Sequence, residues 1–197
     1  MIGEILSTGD EVCLGTVVDS NAAFIARGLD EIGVTVSRHT SVGDDLDALA
    51  GVFLEIGSRA DIAVVSGGLG PTVDDLSAEA AARAAGVPVL LDQAAAASME
   101  TYFARFSRKM SGSDIKQAML PQGSAPLVNT SGTAPGFMIT IGRCRFYFLP
   151  GVPWEMEKMF TKSVVPDILS VQGKKSLLHC AGSFPYSDCP RPWSMKS

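Results

Sequence analysis

Two histidines, His39 and His179, and four cysteines at 13, 144, 180 and 189 are all the soft metal ligands in a chain of 197 residues. No two cysteines have C-x-x-C spacing, so no structural zinc site is expected and a reducing cytoplasm is the default compartment. Lysine and arginine occur singly or in short pairs, and the formal net charge is −5. That excludes a nucleic-acid partner held by backbone charge, which needs clustered cations. No apolar run approaches the roughly 20 residues that span a bilayer, and Glu4 interrupts an N-terminus without a basic stretch. Neither a membrane segment nor a signal peptide is therefore expected. The motifs place no nucleophile beside a general base. G-x-G-x-x-G and G-x-x-x-x-G-K-[ST] are both missing, which removes the dinucleotide fingerprint and the ordinary P-loop. What remains is a globular composition, 46% hydrophobic and 19% charged, suited to one large domain.

The chain is organised around Ser66-Gly67-Gly68-Leu69-Gly70-Pro71-Thr72-Val73-Asp74-Asp75. An apolar run, 61–65, precedes it, and an Ala-rich helical segment, 76–85, follows. A strand, a glycine turn and a helix start together offer backbone N–H groups and a positive helix end to an anion. Gly67, Gly68 and Gly70 allow positive φ and close approach of a ligand. Thr72 and Asp75 have the spacing of a capping box. Asp75 is thus either a cap partner or a chemical group, and the turn alone does not choose.

The same pattern recurs upstream. Residues 2–8 read as a strand ending in Gly9-Asp10-Glu11, whose carboxylates are metal or hydroxyl ligands or simply a solvated loop. Asp19-Ser20-Asn21 caps a helix with Phe24, Ile25, Leu29 and Ile32 on one face, stopped by Gly33. Residues 34–42 alternate as a strand ending in Gly43-Asp44-Asp45, and a helix over 45–57 follows. Three strands alternating with helices, each ending in glycine and carboxylates, describe a doubly wound, mostly parallel sheet with its ligand crevice along one edge. The second half is less regular. It reads as an extended piece at 87–91, helices at 93–107 and 114–120, and a small-residue loop at 129–136. A hairpin of 137–141 with 145–149 and a helix over 154–169 complete it. Trp154 is a base-stacking candidate or a packing residue, and Cys13 an incidental thiol.

These pieces together resemble the N-terminal domain of the competence/damage-inducible protein CinA family, which is related to the molybdopterin-binding domains of molybdenum cofactor synthesis. The likeness is carried by Ser7-Thr8-Gly9-Asp10-Glu11, Asp19-Ser20-Asn21-Ala22-Ala23 and Val42-Gly43-Asp44-Asp45. It continues through the glycine turn, Lys116-Gln117-Ala118, Gly132-Thr133-Ala134-Pro135-Gly136-Phe137 and Leu149-Pro150-Gly151-Val152-Pro153 with Glu155-Met156. It implies a three-layer α/β/α sandwich over residues 1–172. It also implies a divalent-metal-dependent pyrophosphatase acting on ADP-ribose or a related nucleotide diphosphate, with Mg²⁺ or a similar ion as cofactor and a homo-oligomeric state.

On that reading Asp75 and Asp74 are the catalytic carboxylates, and Asp75, Asp10, Asp44 and Glu155 the metal ligands. Gly67, Gly68, Gly70, Pro71, Thr72, Lys116, Gly132, Thr133, Gly136, Pro150 and Gly151 hold the phosphates. Two other functions fit the same motifs: molybdopterin binding or nucleotidyl transfer in molybdenum cofactor synthesis, and a non-catalytic nucleotide-sensing module. Asp114 stands where the family commonly has Asn, a change expected to alter contact with an anionic ligand.

Residues 173–197 hold half the cysteines and no sustained apolar period, the texture of a poorly packed tail and of a truncated or frame-altered product. Deleting residues 174–197 is expected to leave the thermal midpoint nearly unchanged. A loss above about 2 kcal/mol, the size of a core defect, would show that the segment packs.

Overall fold

The computed structural model describes residues 1–173; the tail reading lies outside them. Strands β1 (Ile2–Thr8), β2 (Thr35–Val42), β3 (Ile62–Ser66), β4 (Val89–Leu91), β5 (Met119–Pro121), β6 (Ala125–Leu127), β7 (Gly136–Ile141) and β8 (Cys144–Leu149) alternate with helices. The helices are α1 (Asp10–Cys13), α2 (Ser20–Glu31), α3 (Leu46–Arg59), α4 (Ser77–Ala85), α5 (Gln93–Ala104), α6 (Pro153–Met159) and α7 (Val165–Val171). Six strands form one sheet in the order β2-β1-β3-β8-β7-β6, and β4 pairs with β5 separately. The first four strands of that order are parallel, while β7 and β6 are each antiparallel to their neighbour.

Strand period sorts the core into two halves. Ile5, Val64 and Tyr147 enter one core with α2, α6 and α7. Leu6, Val65 and Phe148 enter the other with α3, α4 and α5. This is the three-layer sandwich, and it explains why β3, buried at every position, reads as a continuous apolar run. Aromatic packing closes the second core: Phe53 meets the edges of Phe146 and Phe148 at 5.7 and 5.2 Å, and Phe137 stacks on Phe148 at 4.3 Å. Asp19, Asp45 and Asp92 cap α2, α3 and α5 by accepting from the N–H groups of Ala22, Ala48 and Ala95.

Three expectations change. Residues 114–120 are a 3₁₀ turn, Asp114–Ala118, running into β5, because β5 pairs with β4 and tertiary pairing overrides the short helical pattern. The short strand β6 carries no alternation that would announce it. The last helix is broken by a π turn, Phe160–Val164, before α7; Pro166 supplies no N–H to the regular ladder there. Among the described residues no helix is long and apolar enough to cross a membrane.

One backbone position is strained. Ser107 closes α5 with φ 53°; its N–H donates to the Ala104 carbonyl at 3.1 Å and that of Arg108 to Phe103 at 3.2 Å. This is a left-handed C-terminal cap occupied by a residue with a Cβ. Ser107→Gly is expected to raise stability by about 0.5–1 kcal/mol, read as a higher midpoint in urea with unchanged slope.

Candidate functional site

The carboxyl ends of β1, β3 and β8 lie side by side, at the point where the chain turns from β1 to β2 on one flank and to β3 on the other. That switch point is where open α/β sheets leave a crevice. The loops after these strands, with the start of α2, enclose a cleft of about 650 Å³.

Glycine geometry builds its floor. Gly67, at φ 109°, donates its N–H to the Leu149 carbonyl at 3.0 Å. A Cβ on Gly67 would fall 2.6 Å from the Thr8 hydroxyl and 2.7 Å from the Thr8 carbonyl oxygen, so only glycine lets β1 and β3 end this close. The next three amides, of Gly68, Leu69 and Gly70, donate no hydrogen bond among the described residues. They form a row of free N–H groups of the kind that receives an anion. The helix contributes less than expected: α4 begins at Ser77, whose N–H is already taken by the Gly68 carbonyl at 3.2 Å and whose hydroxyl donates to the Gly67 carbonyl at 2.9 Å.

The capping pair exists but sits ahead of the helix. One Asp75 oxygen, Oδ2, accepts from the Thr72 N–H at 2.9 Å and the Thr72 hydroxyl at 2.6 Å. It thereby ties the turn 72–75, five residues before α4, instead of capping α4. Gly70 makes room for it, since a Cβ there would lie 2.5 Å from the same oxygen. Asp74 is exposed on the cleft side.

The other candidates separate into two kinds. Thr133, Pro150 and Gly151 line the cleft beside Pro71 and Thr72. Gly132 and Gly136 do not. A Cβ on Gly132 would run into the Glu155 carboxylate, and one on Gly136 into the Phe148 carbonyl; both glycines are packing positions. Lys116 also lies outside the cleft, its ammonium donating to the Thr72 carbonyl at 2.6 Å. Asp114 accepts from the Ser111 N–H and hydroxyl at 2.8 and 2.6 Å, bonds that hold its carboxyl below the usual range; it fixes its own loop and lines no part of the cleft. Trp154 packs in neither core, being 66% exposed.

The carboxylates proposed as metal ligands are dispersed. Asp10 and Asp44 clamp each other's loops: Asp10 accepts from the Asp44 N–H at 3.1 Å and Asp44 from the Asp10 N–H at 3.3 Å. Burial, then the charges of Asp10, Glu11 and Asp74, push the Asp44 carboxyl up against the opposing effect of the Asp10 amide. Glu155 accepts from the Asn129 side-chain amide at 2.6 Å. No group of three or more His, Cys, Asp or Glu among the described residues is gathered to hold a metal. Cys13 is exposed, and desolvation followed by the charges of Asp10, Asp44 and Glu11 pushes its thiol up, away from the thiolate that reactive cysteines present.

The structure adds residues that the sequence presented only as caps and strand ends. Asn21 donates its side-chain amide to the Ser66 hydroxyl and the Gly151 carbonyl, both at 2.8 Å. Its carbonyl oxygen is left buried without a partner, as are the Thr8 hydroxyl and the Gln117 carbonyl oxygen. All three residues line the cleft. Unpaired buried polar atoms are costly, and these three, from β1, α2 and the 3₁₀ turn, belong to residues around one cleft. Asp19 closes the set, accepting from the Ser7 hydroxyl at 2.6 Å. The signal was present in Ser7-Thr8 and Asp19-Ser20-Asn21, but helix capping accounted for it.

The charge balance is one-sided. Glu11, Asp19, Asp44, Asp74, Asp75 and Glu155 line the cleft, and among the described residues no Lys, Arg or His does. An anion can therefore enter only onto the free amides or together with a cation.

Comparison with known proteins agrees with this geometry. A family model described as "Probable molybdopterin binding domain" matches residues 4–170. A CinA-like protein of Desulfosudis oleivorans is 53% identical over 173 residues, 88% of this chain and 42% of the relative. One of Citrifermentans bemidjiense is 45% identical over 164 residues, 83% of this chain and 40% of the relative. The chain thus spans about two fifths of the length of these relatives. The crystal structure of the protein CinA from Thermoplasma acidophilum superposes with a TM-score of 0.78 at 34% identity, covering 85% of this chain and 97% of that one. The molybdopterin biosynthesis enzyme MoaB of Thermus thermophilus shares the fold at a TM-score of 0.58 and 20% identity, covering 88% and 97%. The chain belongs to the molybdopterin-binding-domain family, among its CinA-like members.

Proposed function

We propose that the cleft binds a phosphate-bearing heterocyclic ligand of the molybdopterin class, together with a divalent cation. The observation that carries this reading is the row of free amides at Gly68, Leu69 and Gly70 in a cleft lined by six carboxylates and, among the described residues, by no cationic side chain. The amides suit a phosphate. The unpaired carbonyl oxygens of Asn21 and Gln117 suit the ring N–H donors of a pterin. The donor set fits a hard cation: it is all oxygen, and Mg²⁺ needs only one or two carboxylates beside phosphate and water. Asp44 and Asp74, close enough to feel each other's charge, would supply the one or two carboxylates such a cation needs, phosphate and water completing its shell. The cation would neutralise phosphate charge and orient water.

A second reading is hydrolysis of ADP-ribose or a related nucleotide diphosphate. It is favoured by Asp44, which lines the same cleft as the row of amides and whose carboxyl is raised, so that it could accept a proton from an attacking water. In that case the amides hold the leaving phosphate and Asp74 lies beside the cation.

Titration calorimetry with a pterin phosphate and with ADP-ribose, each with and without Mg²⁺, tests both readings. Binding of either ligand is expected to need the cation and to vanish in excess chelator. Release of AMP from ADP-ribose would establish the hydrolytic reading. Binding undiminished by chelation would overturn the cation requirement.

The acidic wall also predicts a pH effect on stability. The folded-state pKa of Asp44 lies above its ordinary 3.8, so its protonated form favours the fold. That contribution is full below the unfolded value and is lost as pH rises through the folded one. Asp44→Asn keeps an acceptor for the Asp10 N–H and removes the charge. It is expected to be more stable than the native protein at pH 7 by a few tenths of a kcal/mol. Chemical denaturation across pH should show the difference closing as pH falls toward 3.8.

A further inference from the structure

Behind the glycine turn, on the side away from the cleft, lies a second cavity of about 30 Å³. Gly68, Leu69, Gly70 and Asp75 face both spaces, so the turn is a thin wall between them. Lys116 faces only the rear cavity, while Gln117 reaches both. Both come from the 3₁₀ turn before β5, an element outside the main sheet. The Lys116 ammonium donates to the Thr72 carbonyl at 2.6 Å, and the Gln117 side-chain amide reaches the Leu69 carbonyl at 3.4 Å. The turn is thereby held from behind at two carbonyls: that of Leu69, whose peptide plane carries the free Gly70 amide, and that of Thr72 at the far end of the turn.

We propose that Lys116 is a positioning residue for the glycine turn: from the rear cavity it anchors the far end of the turn at the Thr72 carbonyl, while Ser77 and Gln117 hold the Gly67, Gly68 and Leu69 carbonyls, whose peptide planes carry the amides of Gly68, Leu69 and Gly70. Three observations point this way rather than to a direct phosphate contact. The ammonium is already engaged with backbone, it lies outside the cleft lining, and a charge-assisted bond of this length is a strong one. The rear cavity also explains why a cation is needed there. Asp75 and Glu79 both line it, and Lys116 is the only cationic side chain facing it among the described residues. The inference rests on the reading of the amide row as a phosphate cradle.

The test uses the whole chain with magnesium pyrophosphate as probe. In Lys116→Met, backbone order parameters at Gly68, Leu69, Gly70 and Thr72 are expected to fall from about 0.85 to below about 0.6, measured without ligand. Residues of β1 and β3 should keep their native values. Pyrophosphate affinity should fall about tenfold or more, and Lys116→Arg, which can still donate to the Thr72 carbonyl, should restore both. The proposal is overturned if Lys116→Met weakens pyrophosphate binding while the turn stays rigid, since that is a direct contact, or if the turn stays rigid and binding is unchanged. It is also overturned if order is lost throughout the sheet, since that is a general structural role. If the native protein does not bind pyrophosphate, the cradle reading fails, while the order parameters still decide what Lys116 does to the turn.

Discussion

The site depends on the close approach of three strand ends, where Gly67 must carry no side chain. A Cβ on Gly67 would lie 2.6 and 2.7 Å from the Thr8 hydroxyl and carbonyl oxygen, and one on Gly151 would just touch the Gly67 Cα at 3.5 Å. A single methyl at Gly67 would push β1 and β3 apart at the end where their loops must converge. Everything else in the cleft follows from that contact. The free amides point inward, Ser77 folds back over the turn, and Asn21 on α2 can reach both Ser66 and Gly151. The parallel pairing of β1, β3 and β8 brings the ends together, but the glycines decide how closely.

Upon that frame the charges are arranged against the fold's own stability. Carboxylates that follow β1, β2, β3 and β8 in the chain face one space, with no basic side chain among the described residues that line it. Several are restrained by neutral donors instead: Asp75 by Thr72, Asp10 and Asp44 by each other's amides, Glu155 by Asn129. Hydrogen bonds from neutral donors fix direction without cancelling charge, so the field in the cleft stays negative. Such a field repels a bare phosphate and attracts a cation.

The loop at residues 129–135 shows how the second half of the chain serves the first. Asn129 accepts from the Ser131 N–H and donates to the Ala134 carbonyl and to Glu155. Lys158 on α6 donates to the Ser131 hydroxyl, and Tyr102 on α5 to its carbonyl. Glu155 is thus aimed by residues from three elements. Gly132 is required beneath its carboxylate because no Cβ fits there.

The sequence by itself determined the alternation of strand and helix through residue 85, the fully buried character of β3 and the hairpin of β7 and β8. Each of these is a local periodicity read directly from side chains. It also marked the three acidic strand ends, since a glycine followed by carboxylates after an apolar run has few other uses. Tertiary structure alone decided which of those groups act together. Lys116 and Thr72 are far apart in the chain, as are Asn21 and Gly151, and their meeting depends on strand order and helix placement that no local pattern encodes. The same holds for Gly136 and Gly132, which belong to motifs in the sequence but prove to be clearances for Phe148 and Glu155. A motif names the residue types that chemistry requires; the packing of the sheet ends decides which face the ligand and which make room for their neighbours.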